Sequence, residues 1–319
     1  MNSNSMKVDA HNHLGRWLAP EGRWVDADLA GGAPGVPWTV GDVGALLDTM
    51  DRREIATIVN LDGRWDAELE ANLDRYDRAH PGRFATYCQL DWSHASDGDL
   101  FARELVASLE RSAAAGARGL KVWKTLGLGW RDARGELLLP DDPRIAPVWD
   151  AAGALGLPVL IHTADPAAFF EPLDERNPWR DELLANPDWH VHGDPYPPLA
   201  RLLEGFEAIV AAHPRTTFVG AHLVAVEDLA WVARLCTTYA NVQVDVSARL
   251  PQLAAQPEAT RRLLSRHPDR VLFGTDEFPP DEGAYDRWDA FLASLALPDE
   301  ALQAIVHDNA RRLLARGAA

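Results

Sequence analysis

Two histidines spaced two apart, His11 and His13, close a short apolar-polar stretch, Met6-Lys-Val-Asp-Ala-His-Asn-His-Leu14. In a β-strand, side chains at i and i+2 leave from one face, so this pair can grip one metal ion from one side. An isolated HxH is a weak signal. It gains weight because two later strand-like runs end in histidine, PVLIHT (158–163) and TFVGAH (217–222), and a third ends in aspartate, RVLFGTD (270–276). Neutral imidazole and carboxylate suit zinc or a similar divalent ion, with one position left open for water or substrate. Such an ion lowers the pKa of its water towards ~7, and a nearby base removes the proton. Asp276 is suited to be ligand, base or both. His222 is suited to bind metal or to polarise the water and the developing oxyanion.

The hydrophobic pattern says which elements must bring these residues together. Eight short β-branched runs, at 7–13, 56–61, 84–90, 119–123, 158–162, 217–222, 242–246 and 271–275, read as strands. Between them lie amphipathic helical patterns at 40–53, 67–80, 100–115, 145–155, 199–213, 227–239, 259–266 and 284–295, and a last helix at 299–315 closes the chain. Eight such units predict a parallel sheet closed into a (β/α)8 TIM barrel, one domain over residues 1–319. A doubly wound open sheet would carry a Gly-rich phosphate loop after its first strand. Here that place is taken by HLGRWLAPEGRW, and Gly31, Gly32 and Gly35 belong to a loop. In a closed barrel the ends of strands one, five, six and eight converge on one mouth, bringing together His11, His13, His162, His222 and Asp276. Two long connections, 14–39 and 164–198, follow strands one and five. They are rich in Trp, Pro and charge (Arg16, Trp17, Trp24 and Trp38; Phe169, Phe170, Glu171, Asp174, Glu175, Arg176 and Trp179) and are expected to act as lids.

Other polar residues fall near the same mouth. Lys121, in RGLKVWK, ends strand four with Trp123 on its face and Lys124 on the other. A lysine inside a barrel is costly unless paired or modified, so it is expected to hold a substrate carboxylate or to be carbamylated and bridge two metals. Arg249, just past VQVDVSA, is a candidate anion clamp, and Asp245 a support near the end of strand seven. Asp9 could orient a histidine, although solvent exposure at the strand start is the simpler expectation. His80, His213 and His267 each precede Pro at a helix end and read as caps. His190 and His192 form a second HxH in a Trp/Pro/Gly loop and are given a lid role; His94 and His307 carry none.

Composition narrows the function classes. A net charge of −17 leaves no footprint for nucleic acid or an anionic membrane. No run approaches the ~20 apolar residues of a membrane span. MNSNSMKVDAH has no apolar stretch of a secretory signal. Cys88 and Cys236 are expected as buried thiols in a reducing cytosol. A cytoplasmic enzyme acting on a small molecule is the expectation, and a symmetric homodimer the default assembly.

In this combination the chain resembles the amidohydrolase superfamily, and within it the amidohydrolase-related (amidohydrolase 2) branch. The matching pieces are VDAHNHLG, GLKVWK, PVLIHTADP, FVGAHL, NVQVDVSAR and VLFGTDEF on strands one and four to eight, with HDNARRLL on the closing helix. The resemblance implies a metal-dependent barrel enzyme in which His11, His13, His162 and Asp276 hold one ion, usually zinc, and His222 activates water or substrate. In its two-metal relatives a carbamylated Lys121 would bridge, and His162 and His222 would hold the second ion. The branch contains hydrolases of lactones and amides as well as decarboxylases and hydratases. Some of those decarboxylases replace the first histidine of HxH with glutamate, and this chain keeps both histidines. The expectation is therefore a hydrolase of a C–O or C–N bond in a small acidic or cyclic compound, with Lys121, Arg249 and Trp123 as substrate contacts. A decarboxylase or hydratase is the alternative, and a non-catalytic ligand-binding barrel the second.

Overall fold

Each β-branched run becomes a strand in a computed structural model that describes residues 6–15, 17–18, 24–25, 40–93, 99–224, 227–278 and 280–316. The strands are β1 (Lys7–Asn12), β2 (Ile55–Asn60), β3 (Phe84–Thr86), β4 (Leu120–Val122), β5 (Val159–Ile161), β6 (Phe218–Gly220), β7 (Val242–Asp245) and β8 (Val271–Leu272). They pair in parallel as two ladders, β1–β3 and β4–β8. Backbone hydrogen bonds stitch both seams. Between β3 and β4, Cys88 N–H donates to Gly119 O (2.9 Å) and Lys121 N–H to Cys88 O (2.8 Å). Between β8 and β1, Ala10 N–H donates to Phe273 O and Asp276 N–H to His11 O, both at 2.9 Å. The architecture is the (β/α)8 barrel that the alternation of elements predicts. Its strands are shorter than the apolar runs, because His13, Trp123, His162 and Asp276 stand beyond the last paired residues, where the chain turns into the mouth.

Helices cover the outside of the strands. Aspartates start several of them: Asp42 accepts from Ala45 N–H (3.1 Å), Asp228 from Trp231 N–H (2.9 Å) and Asp281 from Ala284 N–H (2.6 Å). Trp149, Phe206, Phe218 and Tyr285 fill the layer between strands and helices. Inside the barrel a second cluster includes Val8, Val59, Ala85, Leu160, Val219 and Leu272, met at one end by Ala310 and Leu313 of the closing helix. Each fully buried Val or Leu contributes roughly 1.5–3 kcal/mol, so this closed interior is what fixes the strand ends in space.

The connection 164–198 is a folded excursion rather than a bare loop. Phe169, Leu183 and Val191 pack with Leu128, Ala164 and Leu202 in a small core of their own. His190 Nε2 stands 2.9 Å from Glu171 O and His192 Nδ1 2.7 Å from Phe170 O, so this second HxH ties the excursion to itself. For the connection 14–39 the backbone of Trp17–Leu18 pairs antiparallel with Trp24–Val25. Arg16, Trp38, Gly31, Gly32, Gly35 and also His94 lie outside the described residues.

Asp9 departs from expectation: it is fully buried, not solvated. Its carboxylate accepts from Thr275 N–H (3.0 Å), Thr275 Oγ1 (2.6 Å), Asn12 Nδ2 (3.1 Å) and Tyr285 OH (3.0 Å), fastening β1 to the chain after β8. Burial pushes its pKa up to about 6, against the lowering pull of these donors. A carboxyl whose folded pKa is raised adds stability below its unfolded value, and loses it as pH rises through the folded value. In urea titrations, wild type should therefore lose about 2–3 kcal/mol relative to Asp9→Asn between pH 4 and pH 7. A pH-independent difference between the two proteins would contradict this account.

Candidate metal centre

Local backbone geometry aims each histidine. The register of β1 against β2 shifts between Asp9 and Asn12, which places His11 and His13 around one end of the strand. After β6 the chain folds back sharply through 221–224, with His222, Leu223 and Val224 at φ of 57°, 64° and 61°. Gly220 permits the reversal, since a Cβ there would stand 2.0 Å from Val224 Cγ2. Asp276 also lies in the left-handed region (φ 57°). Such residues cost about 1–3 kcal/mol each and persist where surrounding structure holds them.

Behind the rings stand carboxylates, Asp245, which the sequence reading named as a support, and Asp62, which it did not single out. His11 Nδ1 lies 2.9 Å from Asp245 Oδ2, and His13 Nδ1 lies 2.8 Å from Asp62 Oδ1. His222 Nδ1 lies 3.0 Å from the carbonyl of Ser247, which can only accept. In each ring Nδ1 therefore carries a proton, and Nε2 faces the cavity. There they converge. Asp276 Oδ1 is 3.6 Å from His11 Nε2 and 3.3 Å from His13 Nε2; Asp276 Oδ2 is 3.9 Å from His222 Nε2. The His162 and His222 ring centroids are 4.5 Å apart, and those of His11 and His222 4.8 Å.

The electrostatics suit a cation. Burial above all, with the charges of neighbouring groups, holds His11 and His222 well below the ordinary imidazole value and His162 down to about 4. Burial works against charge on His13 too, but Asp62 and Asp276 outweigh it and push its pKa up to about 9. The field that would hold a proton there equally attracts a metal cation. Burial would raise Asp276, yet His11, His13 and Lys121 bring it below the usual carboxylate range. Among the described residues, two buried atoms in the cavity, His162 Nε2 and Asp276 Oδ1, lack a partner in hydrogen-bond geometry, although Asp165 Oδ1 stands 3.3 Å from the first and His13 Nε2 3.3 Å from the second. Ligand atoms of His11, His13 and Asp276 lie within 4.8 Å of one another, with all three residues largely buried. The neutral rings of His11, His162 and His222 and the ionised carboxylate of Asp276 are donors of the kind a divalent ion takes.

The other sequence candidates surround this centre. Lys121 is buried: its Nζ is 3.5 Å from His11 Nε2 and 4.9 Å from the Trp123 ring, and burial lowers its pKa to about 8. Trp123 stacks on His13 at 4.9 Å. Arg249 is nine-tenths buried, and its charge is felt at His222. Asp165, three residues after His162, was missed. One of its oxygens stands 3.3 Å from His162 Nε2 and the other pairs with Lys124. His213 and His267 occupy helix C-caps, as their His-Pro context predicts.

The sequence profile of the amidohydrolase family (Amidohydro_2) matches residues 8–316. The chain belongs to that family. Solved structures with this fold include a putative amidohydrolase from Staphylococcus aureus (TM-score 0.63, 15% identity, 97% of this chain and 99% of that one). An uncharacterized TIM-barrel protein from Bordetella bronchiseptica is similar (0.62, 17%, 98% and 99%). So is an amidohydrolase from Burkholderia multivorans with bound zinc (0.58, 14%, 98% and 99%). At these identities the likeness speaks for the fold. No curated protein matches by sequence. Among the described residues, no helix is long and apolar enough to cross a membrane. The protein is an enzyme of the amidohydrolase type with residues fit to hold a divalent metal.

Removing the support behind a ligand should weaken that centre without dismantling the barrel. Asp62→Ala, which leaves His13 Nδ1 unanchored, should lower zinc affinity by about 10–100-fold in chelator competition. Unchanged affinity would separate Asp62 from the centre.

Proposed function

We propose that the protein is a zinc-dependent hydrolase that cleaves a C–O or C–N bond of a small lactone, ester or amide bearing an acidic group. The observation that carries this reading is a pair of proton acceptors facing each other at the mouth: His222 Nδ1 stands 3.0 Å from the Ser247 carbonyl, which leaves its Nε2 to accept, and that Nε2 lies 3.9 Å from Asp276 Oδ2, on a carboxylate held below the usual range. Hydrolysis needs acceptors to draw a proton from water, whereas decarboxylation needs an acid to protonate carbon. His11, His13, His162 and Asp276 would hold one zinc ion, which supplies Lewis-acid polarisation of water and of the substrate carbonyl.

The two oxygens of Asp276 divide the work. Oδ1, nearest His11 and His13, is the ligand. Oδ2, facing His222, takes the proton of the attacking water and returns it to the leaving group. His222, with its proton fixed on Nδ1, accepts a hydrogen bond at Nε2 and orients that water. Lys121 and Arg249 receive the acidic group, and Trp123 backs the ring of a cyclic substrate. Two buried free thiols, Cys88 and Cys236, fit a reducing cytoplasm.

A second reading has its own observation. Lys121, with a pKa of about 8, is a buried cationic acid beside His11, as protonation of carbon would need. Fold neighbours include both a 5-carboxyvanillate decarboxylase from Sphingomonas paucimobilis (16% identity, TM-score 0.53) and a probable 2-pyrone-4,6-dicarboxylic acid hydrolase from Acinetobacter baumannii (13%, 0.54). A carbamylated Lys121 bridging two ions is the second choice for the metal.

Elemental analysis should find about one zinc per chain, lost in His11→Ala. A screen of carboxylated lactones and amides should release acid without CO2, with kcat reduced about 10²–10⁴-fold in His222→Asn. Release of CO2 from carboxylated aromatics would replace the hydrolase reading with the lyase.

A further inference from the structure

Ser247 lies two residues past the end of β7, fully buried, in a segment to which sequence patterning assigned only Asp245 and Arg249. Its hydroxyl has three polar neighbours and no contact with solvent. Oγ bonds to Asp245 Oδ1, and stands 3.0 Å from both His11 Nδ1 and His222 Nδ1. Its carbonyl stands 3.0 Å from His222 Nδ1, and its N–H donates to Asp245 Oδ1 at 3.1 Å. Asp245 Oδ1 also accepts from the backbone N–H of His222 at 3.1 Å. One buried hydroxyl thus touches the back of two rings whose fronts share the metal cavity.

The hydrogens can be placed by donor and acceptor chemistry. A carboxylate oxygen only accepts, so the hydroxyl proton of Ser247 points to Asp245 Oδ1. The lone pairs of Oγ are left for the two imidazoles, which must then both carry their proton on Nδ1. Asp245 Oδ2 and the Ser247 carbonyl demand the same tautomers independently. If the Ser247 hydroxyl turned away, Asp245 Oδ1 would lose its shortest partner and each ring one of its two anchors.

We infer that Ser247 is a positioning residue that couples a metal ligand, His11, to the ring that acts on water, His222, by fixing both as Nδ1–H tautomers. The role of His222 in this coupling rests on the reading given under Proposed function. Ser247 touches neither substrate nor metal. It sets where the Nε2 lone pairs of two rings point, through one shared oxygen, so a disturbance at either ring is felt at the other.

The experiment uses the full chain, zinc-loaded and labelled with ¹⁵N-histidine. Two-bond ¹H–¹⁵N correlations read which ring nitrogen carries the proton, with His11→Ala and His222→Asn assigning the signals. Wild type should show both rings protonated at Nδ1. In Ser247→Ala the zinc stoichiometry should persist, because Asp245 and the residue-247 carbonyl still hold one anchor per ring. Exchange of the His222 Nδ1 proton should accelerate by at least about tenfold, and zinc affinity should fall by about 10–100-fold. Ser247→Thr, which keeps the hydroxyl, should restore both. An Nε2-protonated His222 in wild type overturns the inference whether or not any variant folds, as does Ser247→Ala with unchanged exchange and affinity. No readout depends on turnover. A protein that hydrolyses nothing in the screen yet shows both Nδ1–H signals loses the hydrolase reading and keeps this one.

Discussion

His11, His13 and His222 can offer a cation their Nε2 atoms only if each keeps its own proton on Nδ1, and everything else at the mouth depends on that condition. It is met from behind. His13, past the end of β1, leans on Asp62 past β2; His11 leans on Asp245 of β7, and His222, past β6, on the Ser247 carbonyl past β7. These partners come from other strands, so the tautomers are a consequence of strand order and closure rather than of the histidine-bearing segments themselves. Leaving a buried donor without its acceptor costs about 1–3 kcal/mol, enough to keep the rings from flipping at room temperature. The lone pairs then point inward by default, and the cavity is prepared for a cation by its walls.

Closure at one seam sets the fourth component. Asp276 reaches the HxH pair because its own N–H bonds to His11 O, a main-chain contact that leaves little freedom to the side chain. Gly274, two residues earlier, makes the approach feasible: a Cβ there would sit 2.8 Å from His11 Cβ. Asp9 holds the same seam from the other side through Thr275, to whose hydroxyl Asn12 also donates. The geometry of the site is thus tied to the sheet through main-chain bonds just past the strand ends, and the left-handed φ angles at His222 and Asp276 are tolerated because the barrel packs them in place.

The residues able to do chemistry were legible in sequence because each ends a strand, and a barrel sends such ends to a common place. Alternation of apolar runs with amphipathic ones sufficed for the eight units. Of the supporting partners only Asp245 was legible, from its place near the end of strand seven. Asp62 and Ser247 carry no spacing relation to the histidines they serve, being neighbours only across strands far apart in sequence. Asp165 hid in a connection read as a lid, and Asp9 was read as a solvated strand start because acids there usually are. Its burial follows from five inward-facing donors, two of them near residue 275, that no local pattern reveals.

Charge in the walls connects the metal to Lys121. The side chains of Asp62, Asp165, Asp245 and Asp276 are enclosed around the mouth, against those of Lys121, Lys124 and Arg249. Carboxylates are in excess, an interior of low polarity does not hold uncompensated charge cheaply, and a bound cation would be their complement. Carbamylation of Lys121 would exchange a positive charge for a negative one, a change of two units that a second divalent ion would balance. The count of ions and the chemical state of Lys121 are therefore one variable. On that balance a lysine that stays an amine would go with one ion and keep the substrate role proposed for it, whereas a carbamate would give up that role to hold a second metal.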